Sequence, residues 1–178
     1  NHYNRRDFAA ASTAYQKLLA KYPKGRHGAA ATYALAWAYF EQEMMAEGVD
    51  AMRTLVREHP QSEFAAKAQF TVGDFHYNRR EYEDALAAYS HLLEQYPDAE
   101  EAPRARGLVA ELDEIGATFE YAKVMELFEA KQYEEAVAGF DEITRKYAGT
   151  YTELAAHCNK GLAYEIMRRW KQAADSYE

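Results

Sequence analysis

Between Tyr82 and Tyr96 the apolar positions are Tyr82, Ala85, Leu86, Tyr89, Leu92, Leu93 and Tyr96, steps of three and four that mark one stripe of an amphipathic helix. Just upstream, Ala66, Phe70, Val72, Gly73, His76 and Tyr77 predict a second helix, and the polar run Asn78-Arg79-Arg80-Glu81 predicts a turn between the two. Pro97 closes the pair. Its fixed φ and missing N–H cannot continue a helix, and the residue before it is pushed out of the α region. The unit is helix, turn, helix, proline.

That unit recurs. Pro23, Pro60 and Pro97 stand 37 residues apart, and each ends a near-copy of one segment: FAAASTAYQKLLAKYP, MAEGVDAMRTLVREHP and YEDALAAYSHLLEQYP. YEEAVAGFDEITRKYA and WKQAADSYE follow, so the opening residues are Phe8, Met45, Tyr82, Tyr133 and Trp170, separated by 37, 37, 51 and 37. A fixed period in this range predicts an all-α solenoid of antiparallel helix pairs, each covering only its neighbours. About five units are expected, over 1–23, 24–60, 61–97, 98–148 and 149–178, in one domain with the first and last units incomplete. The chain opens at Asn1 without an initiator Met or an apolar leader, which reads as a piece of a longer protein.

The interval of 51 is one period plus 14 residues, close to four helical turns, so a helical insertion returns the next face nearly to phase. Ala105, Leu108, Leu112, Ile115, Phe119 and Ala122 carry the helical spacing across it. Two readings are open: one helix over Ala99 to Ala130, about 48 Å long at 1.5 Å per residue, or two helices broken at Gly116.

Small residues recur at fixed places. Ala36, Gly73 and Gly161 lie nine residues before an opening residue, and Ala11, Gly48, Ala85, Ala136 and Ala173 lie three after one. Such side chains let paired helices approach closely. Together with Leu35-Ala36, Val72-Gly73, Tyr39, Tyr164, the large residues Tyr15, Met52, Tyr89, Phe140 and Tyr177, and the closing prolines, this pattern resembles tetratricopeptide (TPR) repeats over nearly the whole chain. The resemblance implies an α-α superhelix. The longer period and the Tyr-Pro endings are similar to bacterial envelope TPR proteins, the outer-membrane assembly lipoprotein and the Tol-Pal-associated coordinator, which implies a periplasmic or outer-membrane setting, with a cytoplasmic one still open. Unit four departs from the pattern with Val124 in the small slot and Ala148 in place of proline, and looser packing is expected there.

Composition narrows function. A net charge of -8 argues against nucleic acid as a partner, since that binding relies on Lys and Arg neutralising phosphates. The longest apolar stretch, Ala29 to Phe40, is too short to span a bilayer. The single cysteine, Cys158, has no partner for an internal disulfide. His2, His27, His59, His76, His91 and His157 include no pair at three or four spacing, so no helix face offers two histidine ligands and no metal site is expected. No phosphate-binding loop, nucleophile elbow or dinucleotide glycine pattern occurs, and His157 and Cys158 are adjacent residues that point apart on a helix. Glu100-Glu101, Glu111 to Glu114 and Glu134-Glu135 fall at helix starts or on solvated faces. No catalytic residue and no cofactor are expected.

Two surface patterns remain. Arg5-Arg6, Arg79-Arg80, Lys131 and Arg168-Arg169 precede opening residues, where cations complement a helix C-terminus; an anion-reading edge is the competing reading, and Glu41 and Glu43 break the row in unit two. The TPR resemblance further implies that first helices line a concave groove. The residues expected there are Tyr33, Trp37 and Phe40, then Phe70, Asp74 and Tyr77, then Tyr121, Met125 and Phe128. The Lys/Asn carboxylate clamp of some TPR domains is not evident, which disfavours a terminal acidic peptide. The expected function is a non-catalytic scaffold holding a protein or peptide segment in an aromatic-lined groove. The alternative is a structural spacer or oligomerisation module self-associating through its incomplete terminal repeats.

Overall fold

The computed structural model describes residues 7–22, 25 and 27–177. Pro23, His2 and the Arg5-Arg6 pair lie outside these residues. Among the described residues there are nine helices and no strand: α1 (Phe8–Lys21), α2 (Gly28–Phe40), α3 (Met45–Glu58), α4 (Ala65–Asn78), α5 (Tyr82–Gln95), α6 (Ala102–Glu129), α7 (Tyr133–Lys146), α8 (Tyr151–Ile166) and α9 (Trp170–Tyr177). The five opening residues are the first residues of α1, α3, α5, α7 and α9. The fold class is all-α, as the periodicity predicts.

The chain divides into two compact units, residues 1–108 and 109–178, with the division falling inside α6. In the first unit Val49, Met52 and Leu55 of α3 pack with Ala36 of α2 and Ala65, Ala68 and Val72 of α4. In the second, Phe140, Ile143 and Tyr147 join Ala117 and Val124 of α6 and Ala156 of α8. Each fully buried aliphatic or aromatic side chain of this size contributes roughly 1.5–3 kcal/mol.

Small residues set the crossings. A Cβ on Gly48 would stand 2.3 Å from the Phe40 ring, one on Gly73 2.4 Å from Tyr89, and one on Gly161 2.4 Å from Tyr177. The α6/α7 pair is arranged differently. Val124 occupies the small slot and is buried, and the residue opposite it is Gly139, whose Cβ would lie 2.5 Å from Val124 Cγ2. At the place of Gly139, six residues after each opener, the other units carry Ala14, Ala51, Ala88 and Ser176. The bulk added on one helix is removed from its partner, so the looser packing expected of unit four is replaced by a complementary exchange. Gly116 faces Tyr147 and Gly139 faces Val124, so rising residue numbers on α6 meet falling numbers on α7 and the pair is antiparallel.

Of the two readings for the insertion, the single helix holds. α6 runs unbroken for 28 residues, about 42 Å. Gly116 does not break it; its missing side chain admits the Tyr147 ring, with the hydroxyl 2.9 Å from where a Cβ would sit. Tyr147 also ends α7 with φ -119°, near the -134° to -135° of Tyr22, His59 and Tyr96. The helix therefore stops in the same way before Ala148 as it does before Pro60 and Pro97.

The turn from first to second helix is the same in four units. Glu43, Arg80, Lys131 and Arg168 are left-handed, with φ of 60° to 64°. The next N–H reaches back to a carbonyl five residues earlier: Met44 to Tyr39, Glu81 to His76, Gln132 to Leu127 and Arg169 to Tyr164, at 2.8–3.0 Å. This is the Schellman arrangement, here made without glycine.

One helix start is capped from a neighbouring helix. The Glu114 carboxylate of α6 accepts from the backbone N–H groups of Tyr151 at 2.7 Å and Thr152 at 3.1 Å, the first two residues of α8. The Thr152 hydroxyl also donates to it, and these bonds hold the Glu114 carboxyl below the usual carboxylate range. A lowered folded-state pKa gives stability that is present above the ordinary carboxylate pKa and is lost as pH falls through the folded value. Glu114→Gln should therefore be less stable at neutral pH by about 0.5–1 kcal/mol, the low end for a cap because the group is partly solvated. The gap should close on acidification. A gap in thermal stability that stays constant down to about pH 3 would contradict the capping role.

Candidate functional site

The nine residues expected to line a groove fall into three kinds of position. Tyr33, Phe70 and Tyr121 stand three residues before the small slot of their helix, and each touches the first helix that follows. Tyr33 stacks on Phe64 at 4.9 Å between ring centroids. Phe70, 7% exposed, lies beneath the Arg104 guanidinium at 4.8 Å. Tyr121 shares Asn159 with Met125: the amide Nδ2 donates to the Tyr121 hydroxyl and approaches the Met125 Sδ at 3.4 Å.

Trp37, Asp74 and Met125 stand one residue after the slot. Asp74 accepts from the Tyr89 hydroxyl at 2.7 Å and pairs with Arg104 at 3.7 Å. Trp37 is the most open of the nine: 37% exposed, it meets Tyr33 and Phe40 edge-on at 6.2 and 5.5 Å.

Phe40, Tyr77 and Phe128 lie four after the slot and turn toward the second helix. Phe40 fills the space over Gly48, Tyr77 leans on Tyr82 at 6.2 Å, and Phe128 meets Tyr133 at 5.3 Å. These three are half-buried. The aromatic set is thus built into contacts between helices, with Trp37 presenting the largest free ring among its members.

Large apolar groups also emerge where sequence spacing did not single them out as binding residues. Ala31, Ala68 and Ala156, five before the slot, are buried, whereas the equivalent Phe119 of α6 is 62% exposed with the Lys123 ammonium 4.1 Å over its ring. Ile115, one turn earlier, is also exposed.

The basic row is partly tied down. Arg79 Nε bonds Glu81 at 2.7 Å and its guanidinium lies over Phe75, while Arg169 grips Glu134 with both terminal nitrogens. Arg80, Lys131 and Arg168 are exposed in the left-handed turn position, at helix C-termini where a cation is favoured.

One titratable cluster spans a turn rather than lying along one helix face. His76, Glu81 and Asp84 converge, with His76 Nδ1 2.7 Å from Glu81 Oε2 and 3.9 Å from Asp84 Oδ2. The other ring nitrogen, Nε2, accepts from Arg53 at 2.7 Å, so Nδ1–H donates to Glu81. Both imidazole nitrogens are engaged, and a metal at Nδ1 would force a proton onto Nε2 against the Arg53 donor. The hydrogen bond from Arg79 first, then that from His76, holds the Glu81 carboxyl below its ordinary range. The arrangement fits a structural polar network better than a metal centre. A depression of about 500 Å³ has Leu35 and Tyr39 among its apolar lining and Glu47, Asp50 and Glu58 among its polar lining. Among the described residues, no helix is long and apolar enough to cross a membrane.

Antiparallel helix pairs with small residues at their crossings, joined by tight polar turns and repeated at 37 residues, define a protein of the tetratricopeptide type. More particularly, the chain belongs to the YfiO family, outer membrane lipoprotein, whose model matches residues 1–177. No curated protein sequence matches it. Among solved structures it is similar to MamA, at 16% identity and TM-score 0.44 over 99% of this chain and 88% of that one. It is also similar to the TPR-like repeats of a putative kinesin light chain from Podosopora anserina, at 12% identity and TM-score 0.47 over 98% and 85%. BtubC from P. vanneervenii matches at 16% identity and TM-score 0.45 over 98% and 72%.

Proposed function

We propose that the protein is a non-catalytic interaction scaffold of the bacterial envelope, holding a segment of another protein against first-helix surfaces. Membership of an outer membrane lipoprotein family supports the setting. The observation that carries the reading is Trp37: a large ring, 37% exposed, held by Tyr33 and Phe40 at the open side of α2. Pre-positioned aromatic side chains of this kind supply much of the energy of protein interfaces. Phe70 and Arg104 form a second element in the same unit, its cation already seated on an aromatic face and paired with Asp74.

Trp37→Ala should weaken partner binding by about 2 kcal/mol or more while costing only about 1 kcal/mol of stability, because the ring is partly solvated before binding. Envelope extract passed over the immobilised wild-type chain and over the variant, with retained proteins quantified by mass spectrometry, decides it. Proteins held by wild type and lost by the variant support the scaffold. Identical retention, or a variant that melts early, places Trp37 in the fold alone and favours the spacer reading.

A further inference from the structure

Two depressions border α3 in the first unit, and they differ in charge. The one of about 500 Å³ takes Glu47, Asp50 and Glu58 from α3. The second, of about 330 Å³, takes Arg53 and Arg57 from α3, Gln69 from α4, His91 and Gln95 from α5 and Tyr96 from the end of α5. Among the described residues no carboxylate lines it. In a chain of net charge -8, α3 thus gathers acids on one side and hydrogen-bond donors on the other.

The donors are of two kinds, held and unused. Arg53 is held: its Nη2 donates to His76 Nε2, and Glu81 anchors that imidazole through Nδ1. Gln69 Nε2 donates to the Ala88 carbonyl at 2.9 Å, which ties the α4 floor to the α5 wall. The rest are unused by the fold. Arg57 gives Nε to Glu58 and keeps both terminal nitrogens, while the His91 ring, the Gln95 amide and the Tyr96 hydroxyl make no hydrogen bond among the described residues. Burial holds the Tyr96 hydroxyl above the ordinary tyrosine range, so it stays a donor. Asp50, 3.3 Å from Arg53, and Glu58 line the acidic depression instead, and their pairs with the arginines are largely solvated and weak.

We infer that this depression binds an extended protein segment through two carboxylate side chains, one at the level of Arg53 and one at the level of Arg57. The guanidinium fork fits a planar carboxylate, and an arginine held in place by His76 loses little freedom on binding one. The spacing selects a chain rather than a single anion. Residues four apart on a helix are separated by about 6 Å along its axis, close to the roughly 6.6–6.8 Å between alternate side chains of an extended segment. Val56 and the Tyr96 ring add apolar wall that an inorganic anion would leave wet. An anionic bilayer, with charge spread over its whole face, is opposed by the net charge of -8 more than is a segment carrying two charges. The site lies on second helices, whereas Trp37 lies on a first helix, so either can fail without the other.

The probe is a dye-labelled, end-blocked peptide with Glu-Ala-Glu between neutral flanks, followed by fluorescence anisotropy against the full chain at low salt. It should bind with Kd below about 1 mM, and a Gln-Ala-Gln peptide should bind at least about tenfold more weakly. Arg57→Gln should weaken the Glu-Ala-Glu peptide at least about tenfold and leave the melting temperature unchanged, because Arg57 is exposed. Arg145→Gln, which removes an equally exposed arginine paired with Glu142, should leave binding unchanged. No binding at about 1 mM peptide, equal binding of the Gln-Ala-Gln peptide, or equal losses in the two variants would overturn the inference. Displacement of the peptide by inorganic phosphate at equal concentration would overturn it in favour of a free anion. Binding to phosphatidylglycerol vesicles that Arg57→Gln abolishes, without binding of the peptide, would overturn it in favour of a lipid headgroup.

Discussion

Tyr89→Ala should lower the stability of the unit that contains it by about 3–5 kcal/mol, the range for emptying a large aromatic site in a packed core. The Tyr89 ring is fully buried and occupies the space that Gly73 leaves open. It lies 5.4 Å from the Phe70 ring and donates its hydroxyl to Asp74. Burial first, and then the bond to Asp74, push the hydroxyl well above the ordinary tyrosine range, so it stays a donor. Tyr89→Phe keeps the ring and should cost only about 1 kcal/mol, the net worth of one hydrogen bond. Because Asp74 also holds Arg104, losing the hydroxyl should loosen the α4/α6 contact as well as the α4/α5 crossing. Denaturant unfolding followed by circular dichroism tests both variants. A Tyr89→Ala loss below about 1.5 kcal/mol would mean that the site collapses around the missing ring.

The exchange between Val124 and Gly139 predicts a change of sign. Gly139→Ala should destabilise by about 1–3 kcal/mol, because the new methyl meets a β-branched side chain with little rotameric freedom. In a Val124→Ala background the contact disappears, and the same change should become neutral or stabilising by up to about 1 kcal/mol through helix propensity. The double-mutant cycle should therefore show a coupling of about 2 kcal/mol, within the range for residues in direct contact. Additive effects would show that the two helices adjust independently. In the third unit, where the glycine stands in the first-helix slot, Gly73→Ala has a single outcome, since Tyr89 is fixed at both ring and hydroxyl.

The repeat made much of the fold legible. Helix starts at Phe8, Met45, Tyr82, Tyr133 and Trp170, and close contacts at Gly48, Gly73 and Gly161, are each tied to a residue type at a fixed offset. Gly116 was ambiguous because a glycine can break a helix or admit a neighbour, and only the Tyr147 ring, 31 positions away, decides between them. The positions three before, one after and four after each small slot could be placed from the repeat, but the lateral partners of the side chains there could not. Arg104 and Asn159 reach Asp74 and Tyr121 from helices 30 and 38 residues further on, at no periodic distance. His76, Glu81 and Asp84 were missed because a turn, rather than a helical face, brings them together.

The left-handed turn residues bear on the chain before it folds. Each side chain held at φ near +60° raises the native energy by roughly 1–2 kcal/mol, which a glycine would relieve. Glycine would also enlarge the unfolded ensemble, and that entropy costs roughly 0.4–1 kcal/mol to remove. The second effect offsets about half of the first, so backbone conformation leaves only a modest preference for glycine at positions 43, 80, 131 and 168. What stands there is then open to drift under electrostatics: a cation in three turns, and in the second unit a glutamate whose charge opposes the helix end it closes.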